Sequence, residues 1–225
     1  MNRMFVSPWL MVSPEGPVTC AGEGSGLVHM RQGDADGACG PYALMMGLIT
    51  LGALEREHIA NMSDWDGRRR EGRFRSALRE HGALISGGTS TEDLIGLAGH
   101  FRGDGILPEL INGNKKELVQ AIQDAIESDA VVLISVSWSK LDGHWLMVVG
   151  HQGYEDNGVY QPTHLLCLDP LSEAPKASPW NAVIAVYDDE GKALRGGIYS
   201  CDHWGMGGHV SPCRLDQLLM LCREN

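Results

Sequence analysis

The chain has 225 residues, 43% hydrophobic and 21% charged, enough to bury a core without disulfide or metal support; this excludes a low-complexity polymer and fits one domain. Eighteen Lys and Arg against 29 Asp and Glu leave a formal net charge of −11, so the average surface repels phosphate backbones and no nucleic-acid partner is expected. Six irregularly spaced cysteines exclude a secreted disulfide framework, and no run reaches the ~18 apolar residues of a membrane helix, so no membrane partner is expected either.

In chain order, residues 1–30 are rich in Pro, Gly and Ser, lack periodicity, and read as an extended lead segment or strap ahead of a single domain over 31–225. Two prolines interrupt the apolar residues of the N-terminus and no A-x-A-type cleavage site follows. The expected location is the cytoplasm, or outside it by export as an effector without a cleavable signal. From 41 to 52, Leu44, Met45, Leu48 and Ile49 make a helical stripe; Pro41 suits its first position and Gly52 its stop. The run "RRREGRFRSALR" at 68–79 predicts a helix over 68–81 with Phe74, Ala77 and Leu78 inward and its arginines solvated. Further helices are predicted over 91–102 and over 115–127, the latter with Asn114 as cap and Glu117 as capping-box partner.

After Asp129 the runs become β-rich: "AVVLISVSW" (130–138), "HWLMVVGHQ" (144–152), "HLLCLDP" (164–170) and "NAVIAVYD" (181–188). Asp-Gly, Asn-Gly and Pro between them suit antiparallel connections. Leu215, Leu218, Leu219 and Cys222 predict a last helix over 213–222. Helices first and strands afterwards give an α+β expectation, a helical N-terminal part packed on a mainly antiparallel sheet.

Chemistry concentrates in three segments. Cys39 falls at the start of the first long helix, where unpaired N–H groups and about half a positive charge favour thiolate over thiol. A small buried hydrophobe is the alternative reading of a free cysteine. A catalytic thiol needs an imidazole, and His144 opens a strand directly after "LDG", on the face of Leu146 and Val148. Asp169, which ends the next strand, is placed to orient that ring, although "DP" is also a plain turn signal. Gln32 offers a side-chain amide beside the Cys39 backbone N–H for an oxyanion hole.

"QGDADGACGPYAL", "GHWLMVVG" and "LLCLDPL", spread over residues 32–172, resemble the papain-like cysteine peptidases, and most closely the bacteriocin-leader peptidases and their soluble bacterial relatives. The resemblance implies a papain-like α+β fold whose central helix carries Cys39, with Cys39 as nucleophile, His144 as base, Asp169 as orienting carboxylate and Gln32 at the oxyanion site. It implies a cysteine protease acting on a protein or peptide through an acyl-enzyme, with no metal or cofactor. The same triad also deamidates glutamine or transfers acyl groups to amines. A different class of function is offered by Cys201, His203, His209 and Cys213, four zinc-ligand types in a Gly-rich stretch that would make an interaction module. Nothing in the sequence sets the oligomeric state.

Overall fold

Period-two apolar runs become strands wherever a neighbour satisfies their backbone groups, and here more of the chain does so than the sequence announces. The computed structural model describes residues 1–21, 26–33, 37–60, 66–80, 88–140, 142–188, 190–201 and 209–224. Among these, strands β1 (Asn2–Val6), β2 (Leu10–Ser13) and β3 (Gly16–Thr19) come first. Helices α1 (Cys39–Thr50), α2 (Arg56–Ala60), α3 (Arg70–Glu80) and α4 (Thr91–Ala98) follow, and a 3₁₀ turn over Gly99–Asp104 continues α4. Then come β4 (Ile106–Asn112), α5 (Lys115–Glu127), β5 (Val131–Ser139), β6 (Asp142–Asp156), β7 (Val159–Leu168), β8 (Ala182–Tyr187), β9 (Ala193–Cys201) and β10 (His209–Arg223).

β5 pairs with β6, β6 with β7, β7 with β8, β8 with β9, β9 with β10, and β10 again with β5, all antiparallel. Six strands thus close into a barrel, which leaves no open edge among them. β1 is added outside on β6, and β4 on β10. Strand accounts for 44% of the structure and helix for 27%. The expectation of a papain-like α+β fold with a helical N-terminal part is therefore wrong: this is a mostly β protein built on a closed antiparallel barrel.

Three local causes account for the difference. The lead segment shows no periodicity because its strands are short, five residues in β1 and four each in β2 and β3, yet β6 supplies the hydrogen bonds of β1, and β2 and β3 pair with each other. β4 carries Pro108, which argues against a central strand; β4 pairs on one side only, where a missing N–H leaves no gap in a ladder. The predicted C-terminal helix is the strand β10, whose register shifts between Leu215 and Gln217. Cys213 and Leu215 face one core before that bulge and Leu218 faces it after, with Met220 and Cys222 against its margin, while Leu219 and Leu221 face the other core. One extra residue in a two-sided strand imitates the spacing of a helix.

Two cores lie on the two sides of the sheet. Val132, Ile134 and Val136 of β5, Leu146 and Val148 of β6, and Leu118, Ile122 and Ile126 of α5 share one. Val131 and Leu133, then Trp145, Met147 and Val149, pack with α1 in the other. α1 is buried on nearly every face, with β5 and β6 on one side and α4 and β3 on others, so the predicted stripe understates it. The helix predicted over 115–127 has the capping box expected of Asn114 and Glu117. Among the described residues, no helix is long and apolar enough to cross a membrane.

β6 curves through register shifts at Val148/Gly150 and Gln152/Gly153, and a Cβ on Gly153 would collide with the main-chain carbonyl oxygen of Gln161 on β7. Gly153→Ala is expected to lower stability by about 1–3 kcal/mol in urea denaturation, since a backbone neighbour cannot turn aside as a side chain does.

Candidate active site

α1 begins at Cys39, directly after Ala38, whose methyl group offers the first turn no side-chain cap. Pro41 has no N–H, so the Gly40 amide is the one a capping serine or aspartate would otherwise occupy, and it is left for the sulfur. The backbone N–H groups of Gly40 and Trp145 hydrogen-bond it. Trp145 sits at the beginning of β6, and its indole Nε1 donates to the Thr89 carbonyl at 3.2 Å, tying the segment before α4 to the barrel. His144, its neighbour, lies opposite Val136 of β5.

The structure brings Cys39, His144 and Asp169 together. His144 Nε2 donates to Asp169 Oδ1 at 2.7 Å, which leaves Nδ1 for the Cys39 thiol, and the two side chains are hydrogen-bonded. Burial alone pushes the Cys39 thiol up, but the hydrogen bond and charge of His144, with the two N–H groups, outweigh it and bring the thiol below its ordinary range. Burial also opposes protonation of His144; the Asp169 charge, the Asp169 hydrogen bond and Cys39 together hold the imidazole well above 6.5. A thiolate–imidazolium pair is the charge state this arrangement favours.

Asp169 has no exposed surface. A buried carboxylate without donors would be neutral. Burial does push its pKa up, but the charge and hydrogen bond of His144, the Tyr199 hydroxyl on Oδ2 and the Leu171 N–H on Oδ1 bring it down overall. The main chain at Asp169 is clamped as well. Its N–H donates to Asn181 Oδ1 at 2.6 Å, Asn181 Nδ2 returns a bond to its carbonyl at 3.0 Å, and His29 Nε2 lies 3.0 Å from the same oxygen. Burial lowers the pKa of His29, so it serves here as a neutral donor.

Gln32 lines the same cleft as Cys39, and its backbone N–H donates to the Pro170 carbonyl at 2.8 Å, which fixes it beside the segment that carries Asp169. Residues 34–36, between Gln32 and Cys39, lie outside the described set. The cleft measures about 750 Å³ and is polar, with Ser90, Asp93 and Lys140 among its walls.

No protein-family model matches the chain, and no curated protein matches it. The chemistry of the site therefore rests on its own geometry. Tyr199, Asn181 and His29 were not among the residues singled out by sequence. Tyr199 lies in β9, whose run carries no plain strand signal, and the partner that a buried tyrosine hydroxyl nearly always has is visible only once that strand is in place. His29 stands at the end of the segment expected to be an extended lead or strap, and it is buried.

The zinc-ligand types are spread out. His209 of β10 lies opposite Cys201 of β9, whereas Cys213 lies opposite Gly197, four residues along the ladder, which is about 13 Å at strand spacing. His203 lies outside the described residues, and among the described ones no three His, Cys, Asp or Glu side chains are grouped as a metal site. The cysteines other than Cys39 and Cys20 are pushed the opposite way by burial: Cys167 well up, Cys213 up to about 11, and Cys201 and Cys222 up.

Proposed function

We propose that the chain is a cysteine hydrolase in which Cys39 is the nucleophile, His144 the acid and base, and Asp169 the orienting carboxylate. The observation that carries this reading is a thiol at an uncapped helix start whose imidazole partner is in turn held by a buried, three-donor carboxylate. Sulfur attacks a carbonyl carbon; the oxyanion that forms lies near the Cys39 N–H and the Gln32 amide. His144 gives its proton to the leaving amine as the C–N bond breaks, and it later takes a proton from the water that frees the acid. The motif resemblance to the bacteriocin-leader peptidases supports peptide-bond hydrolysis on a protein or peptide substrate, and only the chemistry is carried over, since the fold expected with it does not hold. Deamidation and acyl transfer on the same triad are the second reading, because the first half-reaction is common to all three. A thiolate that must stay reduced to act suits the cytoplasm.

Alkylation tests the proposal. With substoichiometric iodoacetamide at pH 6, peptide mapping is expected to find Cys39 labelled ahead of Cys167, Cys201, Cys213 and Cys222. Cys222 is the more exposed of the last two, so labelling at Cys39 no faster than at Cys222 would contradict an activated thiol.

The pH profile of kcat/KM has a defined sign. The ion pair exists between a depressed Cys39 pKa and a raised His144 pKa. Activity is expected to fall on the acid side, as the thiolate is protonated below the ordinary thiol range, and on the alkaline side, as His144 loses its proton above 6.5. An acid limb centred in the ordinary thiol range near 8.5 would mean that the pair does not form.

A further inference from the structure

His144 borders two depressions. The polar one contains Cys39. The other, of about 480 Å³, is also lined by His144, together with Trp138, Leu171, Tyr199, His209 and Ser211, among others, and not by Cys39. Its walls are mainly carbon. The Trp138 ring lies 6.2 Å from the His144 ring at 37° and meets Tyr199 edge-on at 5.5 Å, and its indole Nε1 donates to Ser211 Oγ at 2.6 Å. Asp142 and Gly143 border both depressions, so they open toward each other at the start of β6.

Acyl-transfer chemistry gives the two depressions different tasks. The acyl carbon becomes bonded to Cys39 Sγ, so the acyl half of the substrate stays on the thiol side. The departing amine must take its proton from His144, so it leaves from the imidazole side. We propose that the apolar cleft beside Trp138 is the leaving-group subsite, and that the substrate class is a peptide with an aromatic or large aliphatic residue directly after the scissile bond. This rests on the hydrolase reading above and narrows it. A glutamine deamidase releases ammonia, which has no side chain to bury, whereas an amine bearing an aromatic side chain gains from a wall of Trp138, Leu171 and Tyr199. His209 and Ser211, hydrogen-bonded to each other, and Asp142 supply the polar groups of its lining.

Partitioning of an acyl-enzyme isolates the subsite from everything that precedes it. Cys39 attacks p-nitrophenyl acetate, the C–O bond breaks, p-nitrophenolate departs, an acetyl thioester remains and the His144 imidazolium gives its proton to solvent. An added amine then attacks the acetyl carbon, its proton passes to neutral His144, and the C–S bond breaks to return the thiolate. Microscopic reversibility makes the amine occupy the leaving-group subsite. Acetyl-phenylalaninamide and acetyl-glycinamide are quantified by mass spectrometry at equal amine concentrations, with the Cys39→Ala background subtracted. Phenylalaninamide is expected to be favoured by about tenfold, the effect of partly burying one aromatic ring. Trp138→Ala and Leu171→Ala should each reduce that ratio toward one. A general disturbance of His144 would slow both amines together and leave the ratio unchanged.

The two levels fail differently. Absence of an acetyl group on Cys39 in the intact-protein mass spectrum overturns the hydrolase reading, and this inference with it. An acetylated Cys39 that reacts equally with both amines, or a preference that survives both substitutions, overturns the subsite and leaves the hydrolase standing. If either variant fails to fold, the wild-type ratio by itself still decides.

Discussion

Cys39→Ala is expected to lower kcat for hydrolysis on the order of 10⁶-fold, to the level that oxyanion donors and substrate binding supply without a nucleophile. The fold should persist. The substitution removes one sulfur from a site where Gly40 and Trp145 N–H groups can turn to water or substrate, and the alanine methyl suits the first position of a helix packed on every other face. His144→Ala should cost as much activity and far more stability. It leaves the Asp169 carboxylate buried with its main charge partner gone, a loss on the order of 3–5 kcal/mol. The double variant Cys39→Ala/His144→Ala is expected to be no less active than either single one, because the two groups act as a unit and removing the second takes away nothing that still functions. Single-turnover assays on an activated ester, with urea denaturation alongside, check both statements. Additive losses would mean that the two side chains work independently, and the pair proposed here would then be absent.

The sequence announces the three side chains that the structure brings together and misjudges the scaffold that holds them. Cys39 is legible because Gly-Pro after a cysteine and a long apolar run locate a helix start, and that inference needs no tertiary information. His144 and Asp169 are legible because β6 and β7 are consecutive antiparallel strands, so the start of one faces the end of the next. Strand closure is not local. Whether β10 returns to β5 depends on β9, whose run "ALRGGIYSC" contains two adjacent glycines and an arginine and looks like a turn. Gly196 and Gly197 are needed there because the Cys213 backbone and the Ile184 side chain leave no room for a Cβ. The same closure brings Tyr199 to the far oxygen of Asp169. A misread strand therefore conceals a site residue, and the error about the fold and the omission at the site have one cause.

That omitted hydroxyl enters the second large expected effect, at Asp169. Asp169→Asn keeps the shape and removes the charge that holds His144 protonated, so the thiol loses the imidazolium that lowers it. Activity is expected to fall on the order of 10²–10⁴-fold, and the acid limb of Cys39 alkylation should move to higher pH. The amide is also a poor tenant. His144 Nε2, the Leu171 N–H and the Tyr199 hydroxyl all donate to the present carboxylate; an amide NH₂ in place of Oδ2 faces the Tyr199 hydroxyl, which must turn its proton away to accept, and losing that donor's bond costs about 1–3 kcal/mol. Stability carries a pH signature of the same origin. The depressed Asp169 pKa contributes stability that is present above the ordinary carboxylate value near 3.9 and lost as pH falls through its native value. The raised His144 pKa contributes stability that is present below 6.5 and lost as pH rises through its native value. Asp169→Asn should flatten both flanks at once, while Tyr199→Phe removes one donor, leaves the His144 contact in place and should shift the acid flank alone. If Tyr199→Phe lowered the rate as far as Asp169→Asn, the carboxylate would owe its charge to the phenol rather than to the imidazole, and the electrostatic account of Cys39 activation would fail.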